Sequence, residues 1–511
     1  MKKLLLSLLL STSLICTQTE KICVIGTGYV GLVTGIGLAH LGHDITCIDI
    51  DKKKIEMLNR LEIPIYEPGL KELAQPLMEQ KKITFSTERI SAMRNADILY
   101  IAVGTPMSDT GHADLSALNA TLDDIAQATD KKKIICIKST VPVGTCAQAK
   151  KTLIAKGADP LLFEIVSNPE FLREGSSVED FLKADRIVLG CENQEAALRI
   201  KNLYKKLIDN GTKCLITNLE SSELIKYASN ALLATKIAFI NEIAQLCNKT
   251  GAHVLDVAEG MGMDKRIGRA FLNPGPGFGG SCFPKDTKAL ELIMKRYGLQ
   301  AKLINTIFKS NEQHKQELLK EIDDLLGIKT VAVLGLTFKA NTDDVRYSFA
   351  IDLINHLKKR GALIKAYDPQ GTKNMKEIFS DIEYCTSTKE TLKAADLMVI
   401  VTEWDEFKHL DVKECAKLMR TRCIMDMRNI FDPQELKTMV AHIRGAELAM
   451  GTGIKKPTPN EKKLLPLIRK SIVARVDIKK GAILIPEMFI IKRPGTGIAP
   501  KLLTAIVNKK K

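Results

Sequence analysis

The sequence predicts an α/β protein: two doubly wound domains joined by a long central helix, followed by a small, partial β-rich segment at the C-terminus. Three observations predict it. A glycine turn follows an apolar run near residue 21, a second alternation of apolar runs and helical patterns begins near residue 330, and a long helical periodicity lies between them. At 511 residues the chain has room for two or three domains. The expected divisions are a leader-like segment over 1–20, domains over 21–215, 216–325 and 326–435, and a tail over 436–511.

The first domain opens with Lys21-Ile22-Cys23-Val24-Ile25-Gly26-Thr27-Gly28-Tyr29-Val30-Gly31. The apolar run suits a buried parallel strand, and Val30, Val33, Ile36, Leu38 and Leu41 then give a helical pattern closed by Gly42. A second strand, Ile45-Thr46-Cys47-Ile48, ends at Asp49. Strand, glycine turn, helix and acid in this order form the dinucleotide fingerprint of a Rossmann domain. Gly26 makes the tight turn, Gly28 admits a pyrophosphate, and Gly31 lets helix and strand pack closely. The pyrophosphate lies at the helix N-terminus, where free N–H groups favour an anion. A carboxylate at the ribose favours NAD over NADP, because it repels a 2′-phosphate.

Further strands are expected near 83–87, 97–103, 133–138 and 162–167. From about 217 to 250, Leu224, Tyr227, Ala231, Ala234, Ala238 and Asn241 recur at helical spacing. The second alternating region starts at Thr330-Val331-Ala332-Val333-Leu334-Gly335 and includes Leu363–Asp368 and Asp396–Thr402. It reads as a second Rossmann-like half whose glycine turn is rebuilt around Lys339, so no second dinucleotide is expected there.

The most informative stretch is Phe278-Gly279-Gly280-Ser281-Cys282-Phe283-Pro284-Lys285-Asp286. A thiolate holds an aldehyde well and leaves readily from an acyl group, and a nearby ammonium is expected to keep Cys282 ionised. Glycines at 275, 277, 279 and 280 let backbone approach a ligand closely. Lys226 and Asn230 lie four apart, hence on one helical face, where both can point at an oxyanion.

Composition excludes several other classes. Apolar residues make up 45% of the chain and aromatics 5%, which suits a soluble α/β protein. Twelve cysteines without paired or metal-ligand spacing argue against a disulfide scaffold and a metal site, and favour buried free thiols at Cys23, Cys47 and Cys136. The net charge is +15, but residues 455–511 hold fifteen Lys or Arg against three acids, which is +12 of it. The rest is close to neutral, so neither nucleic-acid binding nor a membrane is expected of the core.

With Glu67-Pro68-Gly69-Leu70, Val103-Gly104-Thr105-Pro106, Lys138-Ser139-Thr140, Asn168 to Glu174, Glu223 to Asn230 and Gly335-Leu336-Thr337-Phe338-Lys339 in order, residues 21–433 resemble the nucleotide-sugar 6-dehydrogenase family. The resemblance implies NAD-dependent, four-electron oxidation of UDP-glucose to UDP-glucuronate through a thiohemiacetal and thioester on Cys282. It implies that Lys226 and Asn230 stabilise oxyanions, that Glu170 is the base for hydrolysis, and that Thr140 and Asp286 orient water. For the cofactor it implies Gly26, Gly28, Tyr29, Val30, Gly31, Asp49, Lys54, Thr105, Thr140, Glu174, Lys285 and Arg346. For the sugar nucleotide it implies Glu170, Phe171, Leu172, Arg173, Glu174, Lys226, Arg266, Phe271, Leu272, Asn273, Pro274, Gly275, Gly279 and Lys339. It also implies a homodimer through the central helix. One departure concerns Arg346: the chain continues Tyr347-Ser348-Phe349 where the family often has Glu-Ser-Pro. The rival readings are UDP-N-acetylmannosamine or GDP-mannose oxidation, and an inactive scaffold docking a partner through the basic tail. The runs Glu170–Glu174 and Gly277–Phe283 favour the glucose enzymes.

The two ends read differently. Met1-Lys2-Lys3 and the apolar Leu4–Cys16 have the layout of a signal peptide, too short to span a membrane. The first strand begins a few residues later, and NAD and nucleotide sugars are cytosolic. The expectation is therefore a cytoplasmic enzyme with a misassigned or vestigial leader. From about Leu436 the chain resembles the end of sialic acid synthases: Gly451 to Pro459, Arg469 to Ala474, Asp477 to Gly481, and Lys492 to Ile498. This implies half of an antifreeze-like (SAF) domain without the synthase barrel, with apolar strands such as Ala482–Ile485 and Phe489–Ile491.

Overall fold

The computed structural model describes residues 19–325, 327, 329–432 and 456–507, with isolated positions between 441 and 449. The signal-like segment before residue 19 and the Gly451–Lys455 part of the tail motif lie outside them. The described residues up to Phe431 form one compact unit, and those from Asp432 onward form another.

The first sheet has eight strands: β1 Lys21–Ile25, β2 Asp44–Ile48, β3 Ile83–Ser86, β4 Ile98–Ile101, β5 Lys133–Ile137, β6 Phe163–Ser167, β7 Arg186–Cys191 and β8 Lys213–Thr217. Their order is β3-β2-β1-β4-β5-β6-β7-β8, parallel except where β7 runs antiparallel to β6. The expected first six strands are present, and β7 and β8 extend the sheet beyond them. β1, β4 and β5 have almost every side chain buried, because helices cover both faces.

The central helix runs over Leu219–Thr250, about 48 Å long. Asn218 accepts from Ser221 N–H at its start, and Gly251, at φ +78°, ends it. Tyr227, Asn230, Ala231, Ala234, Ala238 and Asn241 line its buried face. Leu232, Phe239 and Leu246, seven residues apart, are 65%, 44% and 58% exposed. The cysteine helix, Phe283–Arg296, packs on it together with the helix Lys302–Asp323.

The second sheet comprises β9 Thr330–Leu334, β10 Leu363–Tyr367, β11 Glu383–Tyr384, β12 Leu397–Ile400 and β13 Cys423–Asp426. Its order is β11-β10-β9-β12-β13, all parallel. Asp368 follows β10 as Asp49 follows β2, so the two acids are topological counterparts. Asp49 is half-buried and accepts from Thr27 N–H and Oγ1 and from Asp51 N–H. Asp368 is buried, and its two oxygens take six donors: the N–H groups of Leu336, Thr337, Gln370 and Gly371, Thr337 Oγ1 and Trp404 Nε1. A ribose finds no acceptor at Asp368.

In the tail, the helix Pro459–Ile468 opens on a capping box between Thr458 and Glu461. β14 Ser471–Ala474 pairs antiparallel with β15 Phe489–Lys492. The expected strand over Ala482–Ile485 does not form: Phe489–Lys492 takes Ser471–Ala474 as its partner, and Ile483 and Ile485 stay exposed. No helix among the described residues is long and apolar enough to cross a membrane.

Candidate active site

The glycine turn is built as the dinucleotide reading requires. Gly26 has φ +97°, and a Cβ on Gly31 would sit 1.9 Å from Gly26 O. A Cβ on Gly28 would meet nothing within 4 Å, so the backbone there lies open. No side chain caps the helix Tyr29–His40, which leaves its N-terminus to a ligand. Burial works to raise the pKa of Asp49, but the donors Asp51 N–H and Thr27, with the Lys54 charge beside it, hold it below the ordinary range. An anionic acceptor at the end of β2 fits an adenosine ribose. Thr105 Oγ1 donates to Thr140 O at 2.8 Å, and Ser139 Oγ to Val103 O at 2.6 Å, which ties the two loops at the C-terminal ends of β4 and β5.

Tyr29, in this turn, donates to Asp343 of the second sheet's domain, whose other oxygen accepts from Tyr66 N–H. Glu67 accepts from Gly175 and Ser177 N–H, both at 2.8 Å, and holds the loop that carries Glu170 to Glu174. Neither Asp343 nor this use of Glu67 was expected.

Cys282 sits immediately before the cysteine helix, with Asp286 N–H donating to its carbonyl at 2.9 Å. The preceding loop is clamped from two sides. Asn311 exchanges hydrogen bonds with Phe278, at 2.8 and 3.2 Å, and Gly280 N–H donates to Arg346 O at 2.9 Å. A Cβ on Gly279 would sit 2.3 Å from Tyr347 O. The second domain thus presses directly on the thiol loop.

Around Cys282 the structure gathers Glu170, Lys226, Asn230, Lys285 and Asp286. Lys226 Nζ lies 2.8 Å from Glu170 Oε1, and both side chains are buried. Glu170 Oε2 accepts from Leu172 N–H at 2.6 Å. Burial would raise the Glu170 pKa, yet Lys226, the Leu172 N–H and Lys138 hold it below the ordinary carboxylate range. Burial would likewise lower that of Lys226, and Glu170, Cys282 and Asp286 raise it instead. Asn230 Nδ2 donates to Asp286 Oδ2 at 2.6 Å, and Lys285 Nζ meets Asp286 Oδ1 at 2.5 Å. One amide N–H of Asn230 is left for an oxyanion.

One expectation is reversed. The ammonium groups do not ionise Cys282: burial, then the Glu170 charge, push its pKa up to about 11 against the opposing pull of Lys226, with Asp286 raising it and Lys285 lowering it further. The thiol rests neutral because burial disfavours the thiolate and the two carboxylates beside it offset the two cations.

The sugar-nucleotide residues are partly assembled. Phe171 lies under Arg186, whose Cζ is 3.9 Å from the ring centroid, with Lys226 Nζ at 5.5 Å. Leu172 packs on the first core. Arg173 pairs with Asp180, and the Arg173 charge, after burial, helps lower the pKa of Lys339. Phe271, at φ +64°, touches Phe283 edge-on; Leu272 and Pro274 are buried and Asn273 is exposed. Gly275 N–H donates to Asn241 and its carbonyl faces His314 Nε2 at 2.8 Å. Glu174 accepts from Ser281 Oγ at 3.1 Å and lies 3.6 Å from Arg346, which Asp344 also holds. Burial and Asp344 raise the Glu174 pKa to about 8. Arg266 stands apart: its side chain is 89% exposed and pairs with Asp264.

Arg428 is a functional candidate that the sequence reading missed. It follows β13, donates to Val401 O and Phe338 O, and would lie 3.3 Å from a Cβ on Gly275. Its position past the C-terminal end of a parallel strand is the signal that could have found it.

The comparisons bear on this arrangement. Residues 20–208, 220–313 and 332–433 match the NAD binding, central and UDP binding domains of the UDP-glucose/GDP-mannose dehydrogenase family. A UDP-glucose 6-dehydrogenase of Rickettsia typhi is 46% identical over 423 residues, covering 81% of this chain and 96% of that protein. The solved UDP-glucose dehydrogenase of Pyrobaculum islandicum superposes with a TM-score of 0.78 at 34% identity, over 82% of this chain and 97% of that one. The UDP-D-ManNAc dehydrogenase of Pyrococcus horikoshii gives 0.71 at 26% identity, over 81% and 96%.

Proposed function

Because the chain belongs to the UDP-glucose/GDP-mannose dehydrogenase family, we propose that it oxidises the C6 alcohol of UDP-glucose to the carboxylate of UDP-glucuronate. The observation that carries the reading is one cluster holding the half-buried Cys282 with the buried Glu170–Lys226 and Asn230–Asp286 pairs. NAD+ held on the glycine turn supplies the hydride acceptor for each of the two oxidations.

The chain's own groups do the rest. Asp286 and Thr140 hold water that takes the proton from the C6 hydroxyl. Cys282 adds to the resulting aldehyde: that water has by then passed its proton to solvent, the Sγ–C6 bond forms, the thiol proton leaves by the same water, and Lys226 with the second Asn230 N–H stabilises the oxygen. Loss of the second hydride leaves a thioester. Glu170 then takes a proton from water as its oxygen bonds to C6 and the C6–Sγ bond breaks, returning the thiol. Arg173, Lys339 and the Phe271–Gly275 loop are suited to hold the nucleotide.

Further parts of the reading are proposals of the same kind. The exposed Leu232, Phe239 and Leu246 stripe supports a homodimer along the central helix. A cytoplasmic location suits the cofactor and the free thiols found at the described cysteines. The motif Arg469–Ala474 includes β14 and the motif Lys492–Ile498 begins at the last residue of β15, a pairing that suits a partial SAF domain.

The test is NADH yield with UDP-glucose, UDP-N-acetylmannosamine and GDP-mannose side by side. Two NADH per UDP-glucose, with the other sugars slow, is expected. One NADH per sugar, or faster oxidation of either rival, overturns the reading.

A further inference from the structure

Lys138 directly follows β5, and its ammonium is buried beneath the reactive cluster. Its Nζ donates to Asn168 Oδ1 at 3.3 Å and to Pro169 O at 3.4 Å, both neutral oxygens. Among the described residues it enters no ion pair within 4.0 Å. Burying an ammonium without a carboxylate partner is costly, so an unpaired one beside a reaction centre calls for a reason.

The geometry supplies one. Asn168 is itself locked: Tyr204 Oη donates to its Oδ1 at 2.9 Å, and its Nδ2 donates to Val188 O at 3.0 Å. Lys138 therefore grips the chain one and two residues before Glu170. The titratable groups facing Lys138 are Cys136, Glu170 and Lys226. Those facing Glu170 are Lys226 from the central helix, Lys138 from the end of β5, and Cys282 from the thiol loop, behind which stand Asp286 and Lys285. Lys226 is asked to do two things in the proposed reaction, to pair with Glu170 and to stabilise the substrate oxygen.

We infer that Lys138 is a positioning residue for Glu170: it fixes the Asn168 side chain and the Pro169 carbonyl and supplies the positive charge that keeps the base ionised when Lys226 turns to the substrate. The inference rests on the proposed thioester reading. Burial lowers the Lys138 pKa to about 8, so the group is still mostly charged at neutral pH.

The experiment follows acyl-enzyme decay against pH in single turnovers, by acid quench and intact mass, in wild type, Lys138→Met and Lys138→Arg. In Lys138→Met the acid limb of the decay rate should move up by roughly one pH unit, the effect of losing one nearby opposite charge. Lys138→Arg, which keeps the charge, should restore the limb. Superimposable limbs in wild type and Lys138→Met, or an equal shift in both variants, overturn the inference. If Lys138→Met does not fold, Lys138→Gln is read by the same criteria. Absence of any acyl-enzyme from both wild type and Glu170→Gln instead overturns the underlying reading.

Discussion

Glu170 and Lys226 form a buried ion pair at 2.8 Å, with side chains 5% and 4% exposed. Glu170 comes from the loop after β6 and Lys226 from the central helix, so the pair joins the first sheet's domain to the thiol-bearing one. Such a pair adds little net stability, but removing one partner strands the other charge.

Glu170→Gln should thus stop hydrolysis while sparing the thiol, and a uridine-nucleotide adduct on Cys282 should accumulate in intact-mass spectra. It should also destabilise the fold by about 3 kcal/mol, because Lys226 stays buried and charged. Loss of the first hydride transfer as severe as the loss of turnover would show that Glu170 has a different role.

The resting thiol should behave as a weak nucleophile. With the Cys282 pKa raised to about 11, alkylation by iodoacetamide at pH 7 should be slow and climb roughly tenfold per pH unit. Glu170→Gln removes one of the charges that raise it, so its alkylation at pH 7 should be faster than wild type. A plateau below pH 8 would contradict the neutral thiol. Cys282→Ser should not turn over to the acid, since an alkoxide leaves an acyl group far less readily than a thiolate.

Asp49→Ala should raise the KM for NAD+ with a smaller effect on kcat, because the ribose is held alike before and during reaction. Discrimination against NADP+ should narrow. Equal selectivity in wild type and variant would remove Asp49 from the ribose.

Ending the chain near Gly453 should leave UDP-glucose oxidation largely intact, since the family match ends at residue 433. Solubility or assembly should change instead, because Ile483, Ile485 and Ile491 expose apolar surface in the tail. A shortened chain that folds and dimerises yet loses most of its kcat/KM would place the tail in the active enzyme.

What the sequence revealed depended on range. Gly26, Gly31 and Asp49 were legible because strand, turn and acid lie within 30 residues and obey one spacing rule. Lys226 and Asn230 were legible as helical neighbours. The ionisation of Cys282 was not, because it depends on how deeply the thiol is buried and on which carboxylates and ammoniums three separate segments bring together. Lys138 and Arg428 stayed hidden as site residues for a related reason: each donates to oxygens of distant segments, and no local pattern marks that. Strands β7 and β8 escaped notice because the chain reverses after β6 and breaks the parallel alternation.

The inward turn of Asp368 has a consequence for timing. With its oxygens spent on six protein donors, the second sheet offers no berth that duplicates the one at Asp49. On the proposed reading, both oxidations must then use the same seat, which has to be vacated and refilled midway. A half-oxidised sugar would have to outlast that changeover without drifting off. A covalent tether on Cys282 does more than chemistry in such a scheme: it is a clock-stop, holding the intermediate for as long as the exchange takes.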